Sequence, residues 1–183
     1  MSQENKKNTN LQQKPWIRPL LDYFKAIKKH NDKIESIRQI LFQSEGFNPN
    51  ELFYYLDFKK NDFLTSKNLI HFLNQFNVPY EEQYIRCLVH NYDKDGDFTL
   101  NKNEFLDMIL PIKQKNIKQI KSSIINNTNE LYENRRDIYI SNGIKKVFIE
   151  LIKEELNLAE TASYVVKNIY GSPKFTTYDA FVD

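Results

Sequence analysis

Apolar residues recur at intervals of three and four along most of this chain, the spacing that lines one face of a helix. Leu20, Phe24, Ile27, Ile34, Ile37, Ile40 and Leu41 predict a first helix of about five turns or more within 15–46, stopped by Gly46. Asn48, Pro49 and Glu51 then read as an N-cap, a first-turn proline and a third-position acid, so another helix starts there. Leu52, Phe53 and Leu56 continue it, Leu69, Ile70, Leu73 and Phe76 mark the next, and the sets Ile85, Leu88, Val89, Tyr92 and Phe105, Met108, Ile109 mark two more. Beyond Pro111, Ile112, Ile117, Ile120, Ile124, Leu131 and Ile138 predict a long helix, weakened at Asn126, Asn127, Thr128 and Asn129. After a Ser141-Asn142-Gly143 turn, a stripe through Ile144, Phe148, Leu151, Ile152, Leu156 and Ile169 predicts the most regular helix of the chain. It is expected to fold back on its predecessor as a hairpin and to end at Gly171, with Ser172-Pro173 opening a short final helix. The expected fold class is all-α.

Composition agrees with long helices and few turns, since 183 residues include only 4 Gly and 6 Pro. Residues 1–14, with Leu11 as their one aliphatic side chain beyond Met1, are expected to form a flexible tail. The net charge of +2 conceals a division: 9 basic and 4 acidic residues in 1–44, 6 and 11 in 45–111, 11 and 9 in 112–183. The organisation that follows is a tail (1–14), an N-terminal helix (15–46), an acidic module (47–111) and a C-terminal helical arm (112–183). An acidic module between basic arms is the place to look for a cation site.

Within that module lies Asp93-Lys94-Asp95-Gly96-Asp97-Phe98-Thr99-Leu100-Asn101-Lys102-Asn103-Glu104, flanked on both sides by helical patterns. Its spacing of acids, at positions 1, 3, 5 and 12, resembles the EF-hand calcium loop. Calcium takes six to eight oxygens, and alternating carboxylates in a tight loop converge on one side of an ion. The resemblance implies Asp93, Asp95, Asp97, the Thr99 carbonyl and a two-oxygen Glu104 as metal ligands, with Asn101 acting through water and Leu100 as the apolar anchor. The competing reading of the same string is an acidic surface turn; Leu100, the Glu104-Phe105 pair and the flanking helices favour the calcium loop. One residue departs from the pattern: position 6 normally takes glycine, and Phe98 there would carry a positive φ costing about 1 kcal/mol.

EF-hands pair, and 36 residues upstream Leu64 matches Leu100 in the loop Asp57-Phe58-Lys59-Lys60-Asn61-Asp62-Phe63-Leu64-Thr65-Ser66-Lys67-Asn68. Lys59 at position 3 and Asn68 at position 12 remove its calcium ligands, so this loop (57–68) is read as a degenerate partner whose Leu64 bridges to Leu100. The fold expectation is therefore a paired EF-hand module flanked by an N-terminal helix and a C-terminal long-helix hairpin, resembling the calmodulin superfamily over 48–111. The run YDKDGDFTLNKNEFLDMILP is also similar to axonemal EF-hand proteins of ciliates. That similarity implies a calcium-binding scaffold docked in a cytoskeletal assembly, the microtubules of the ciliary axoneme, with tubulin or other axonemal proteins as partners. The alternative it implies is a calcium sensor that opens a groove around Phe105 and Met108 for a target helix. One intact loop and only 2 Met favour the scaffold.

Other chemistries find no support in the residues. His30, His71 and His90 are scattered, and no nucleophile elbow, zinc motif or phosphate-binding glycine loop is present, so no enzyme is expected. Cys87 is read as a buried thiol, and the Glu154/Glu155 pair as solvated charge. Basic residues without an aromatic platform argue against nucleic acid. With no apolar span of about 20 residues and no acylation or prenylation motif, a soluble cytoplasmic, cytoskeletal protein is expected. The closing FTTYDAFVD resembles an EF-hand entering helix stopped at its loop.

Overall fold

The computed structural model describes residues 17–126 and 138–170. The tail 1–14, the segment from Asn127 to Asp137 and the final FTTYDAFVD, each assigned a character from sequence, lie outside the described residues. The described chain is all-α, with seven helices: α1 (Ile17–Gln43), α2 (Pro49–Leu56), α3 (Ser66–Gln75), α4 (Glu82–Tyr92), α5 (Lys102–Ile109), α6 (Ile117–Asn126) and α7 (Asn142–Tyr170). Among the described residues no helix is long and apolar enough to cross a membrane. The chain divides into a unit of residues 32–156 and a second unit combining 1–31 with 157–183.

In the larger unit, α1 ends before a turn in which Gly46 takes φ +72°, a left-handed backbone that glycine adopts without a Cβ penalty. The Asn48 side chain then accepts from the Asn50 amide at 3.0 Å and donates to Glu51 at 3.1 Å, which starts α2 at Pro49 as its sequence dictates. Two helix–loop–helix units follow, α2–α3 and α4–α5. Leu64 and Leu100, one from each loop, form an isolated antiparallel bridge. Beneath it Phe53 and Phe105 pack edge to face at 5.5 Å, both fully buried.

The last helix buries its apolar stripe through Ile144, Phe148, Leu151 and Ile152, and Phe148 packs against Phe72 of α3 at 5.3 Å and Phe105 of α5 at 6.2 Å. The first half of α7 is thus a ridge that covers both helix–loop–helix units. Burial of a phenylalanine contributes roughly 1.5–3 kcal/mol, and these contacts make Phe148 the anchor of the arrangement.

The long helix expected after Pro111 begins only at Ile117. Glu35 of α1 explains the delay: its carboxylate accepts the amides of Ile112 and Lys113, each at 2.9 Å, and Asn116 adopts φ +61°. A run of turns held by a side chain satisfies backbone donors that a helix would otherwise use. The Asn50 side chain donates through Nδ2 to the Ile124 carbonyl at 2.8 Å and ties α6 to the start of α2.

Charged residues also enter this core. Arg38 of α1 donates through Nε to the Met108 carbonyl at 2.8 Å and through Nη2 to the Tyr92 hydroxyl at 2.6 Å. Tyr92 in turn donates to Glu155 at 2.5 Å, and Arg38 stands 3.4 Å from the same carboxylate. Lys33 pairs with Glu154 at 2.5 Å. Glu154 and Glu155 are thus buried, not solvated as their adjacency suggested, because each meets a cation from α1. Cys87, read as buried, is exposed: it lies on the α4 face away from Ile85, Leu88 and Val89.

In the second unit, Leu21 and Phe24 of α1 are exposed, as are Tyr164 and Val166 of α7, while Val165 is buried.

Candidate metal centre

Asp93 is the organiser of the loop between α4 and α5. Its own amide still donates to the Val89 carbonyl at 3.0 Å, closing α4. One carboxylate oxygen accepts from the amides of Gly96 at 2.7 Å and Asp97 at 3.3 Å, and the other accepts from Phe98 at 2.8 Å. Wrapping the chain around one side chain needs two left-handed residues, Gly96 at φ +79° and Phe98 at φ +64°. Phe98, 75% exposed, takes the positive φ for which a cost of about 1 kcal/mol is anticipated at a non-glycine residue.

The next two acids are oriented from within the loop. Asp97 accepts from the Thr99 amide at 2.8 Å and hydroxyl at 2.7 Å. Asp95 accepts from the Asp97 amide at 3.4 Å and from the Asn101 side chain at 3.5 Å. One oxygen each from Asp93, Asp95 and Asp97 then fall within 4.8 Å of one another, the one such group of three or more among the described residues. Asp93 is half-buried and the other two are exposed.

Glu104 is placed differently from these three. It is buried, and its oxygens accept from the Lys94 amide at 2.7 Å and the Asn101 amide at 2.9 Å, while Asn101 accepts from the Glu104 amide at 3.1 Å. This reciprocal cap starts α5 and staples both ends of the loop. Of the five residues singled out from sequence, Asp93, Asp95 and Asp97 are brought together, Thr99 orients one of them, and Glu104 caps the helix beneath.

Electrostatics distinguishes the acids. Desolvation in the crowded loop pushes Asp93 upward, but amide donation from Phe98, Gly96 and Asp97 outweighs it and holds its carboxyl below the usual range. Asp95 is raised by desolvation and then by the negative charges of Asp97 and Glu104. At the loop's edge, Asp107 is pushed up by desolvation and more strongly down by Lys121 and Lys94, to both of which it pairs. Three converging carboxylates whose charges oppose one another, all hard oxygen donors, fit a hard divalent cation such as calcium or magnesium.

The first loop repeats the frame without the acids. Asp57 accepts from the amides of Asn61 at 3.0 Å and Asp62 at 2.8 Å, and Lys60 and Asp62 take φ +58° and +63°. Asn68 accepts from the Thr65 amide at 3.0 Å and hydroxyl at 2.8 Å, as Glu104 accepts from Asn101. Lys59 and Asn61 stand where the second loop has Asp95 and Asp97.

Sequence reasoning missed the Arg38–Tyr92–Glu155 network, whose middle member, Tyr92, is the residue before Asp93. A signal was present: Arg38 interrupts the stripe between Ile37 and Leu41, and Glu155 the one between Ile152 and Leu156. No protein-family model matches the chain.

Proposed function

We propose that this chain is a calcium-binding, EF-hand-like scaffold protein docked in a cytoskeletal assembly, with axonemal microtubules the partner that its sequence resemblance implies. The observation that carries the scaffold reading is Phe148, which fills the face between Phe72 and Phe105 that a sensor would offer to a target helix. The cation would be held by Asp93, Asp95, Asp97 and the Thr99 carbonyl, with Glu104 the acid available to close the site, and would neutralise carboxylates that otherwise repel. Support for docking comes from the exposed Leu21, Phe24, Tyr164 and Val166 of the other unit. The reading is non-catalytic, and Cys87 and the histidines have no assigned chemical role in it.

Co-sedimentation of the full chain with microtubules, with calcium or with chelator, tests this reading. Pelleting under both conditions is expected. Absence of pelleting refutes the microtubule assignment, and pelleting only with calcium makes the protein a sensor.

A further inference from the structure

The first loop keeps the backbone of the second but reverses its charge, and that reversal creates a different kind of site. Lys59 replaces Asp95 and Asn61 replaces Asp97 on a loop already pinned by Asp57 and by the Leu64 bridge. A cavity of about 500 Å³ opens beside it, bounded by Phe58, Lys59, Asn61, Thr65, Lys67 and His71 among others, with no carboxylate in its lining. The loop's two acids, Asp57 and Asp62, both lie outside the lining, and Asp57 is 2% exposed and turned onto the amides of Asn61 and Asp62. Glu82, the acid that senses Lys67, pairs with Arg86 instead and lies outside the lining.

Neither Lys59 nor Lys67 forms an ion pair within 4.0 Å among the described residues. The Lys59 ammonium lies 5.9 Å from the centre of the Phe58 ring, and that ring packs on His71 at 4.4 Å with the two planes tilted by 36°. Two unpaired cations, side-chain amide and hydroxyl donors and an aromatic wall are the complement of a doubly charged anion on a flat organic group. The volume far exceeds a bare phosphate.

We propose that this cavity binds a phosphate monoester carried on an aromatic group, Lys59 and Lys67 meeting the phosphate and the Phe58–His71 ring pair meeting the ring. Binding here is a property of the first loop and stands apart from any cation at Asp93, Asp95 and Asp97.

The test is amide chemical-shift titration of the full chain with phenyl phosphate, inorganic phosphate and benzoate, repeated on a Lys59→Ala/Lys67→Ala double variant. Both lysines are exposed, so the variant is expected to keep the wild-type helical circular dichroism. Phenyl phosphate is expected to shift amides of residues 58–75 saturably, with affinity falling about tenfold or more in the variant. Inorganic phosphate and benzoate are each expected to bind at least several-fold more weakly. No saturable shift, equal affinity in the double variant, or equal binding of benzoate or inorganic phosphate overturns the proposal. If the double variant loses its helical signal, single Lys59→Gln and Lys67→Gln variants carry the same comparison, with unchanged affinity in both again overturning it.

Discussion

Leu64 and Leu100 exchange both of their backbone hydrogen bonds, Leu64 N to Leu100 O at 2.9 Å and Leu100 N to Leu64 O at 2.7 Å, and both side chains are fully buried. This pair couples a loop with converging acids to a loop without them. Truncating either leucine to alanine is expected to cost about 2–5 kcal/mol in urea unfolding. The double variant is expected to lose less than the sum of the two, because they share one contact. Strict additivity would show that the loops are energetically independent.

Phe148 seals the interior face of α3 and α5, so Phe148→Ala is expected to destabilise the larger unit by about 3–5 kcal/mol. Phe72 and Phe105 lose their contact with Phe148 in that variant, and increased binding of a hydrophobic dye reports the exposed face. A stable variant that binds no dye would place the closure of this face elsewhere.

Arg38 holds Glu155, Tyr92 and the Met108 carbonyl at once. Arg38→Ala strands a buried carboxylate and is expected to cost about 3–5 kcal/mol, whereas Arg38→Ala combined with Glu155→Gln recovers part of that loss. Thermal and urea unfolding of the four proteins measure the recovery; none at all would mean the network contributes only through packing.

Acid stability separates two buried carboxyl groups shifted in opposite directions. Desolvation pushes Glu35 up, but the Lys113 and Ile112 amides outweigh it and hold its carboxyl low. A carboxyl depressed in the folded state contributes stability that is complete above its unfolded pKa and lost as pH falls through the folded one. Glu155 is raised, first by burial, so its ionisation costs stability as pH climbs from the unfolded toward the folded value. Glu35→Gln is therefore expected to flatten the loss of stability on acidification, read from urea midpoints between about pH 3 and 7. An unchanged pH profile would contradict the bond assignment at Ile112 and Lys113.

Periodicity and loop spacing made much of this legible. The Asn48–Pro49 start follows from local chemistry, and the pairing of Leu64 with Leu100 and the grouping of Asp93, Asp95 and Asp97 follow the spacing of the loop that the sequence resembles. The destination of α7 does not: a stripe through Phe148 says that a face is buried but not which surface buries it. Glu155 looked solvated because its partner, Arg38, is 117 residues away. Glu104 likewise carries two local roles, helix cap and loop acid, and its bonds to Lys94 and Asn101 express the first.

Calorimetric titration of calcium into the full chain and into Asp93→Asn measures the second-loop site directly. Asp93 both supplies an oxygen to the cluster and accepts three loop amides, so one saturable site per chain is expected in the wild type and none in the variant. An absence of calcium heat in the wild type, or equal binding by both proteins, would contradict a cation site built on Asp93, Asp95 and Asp97.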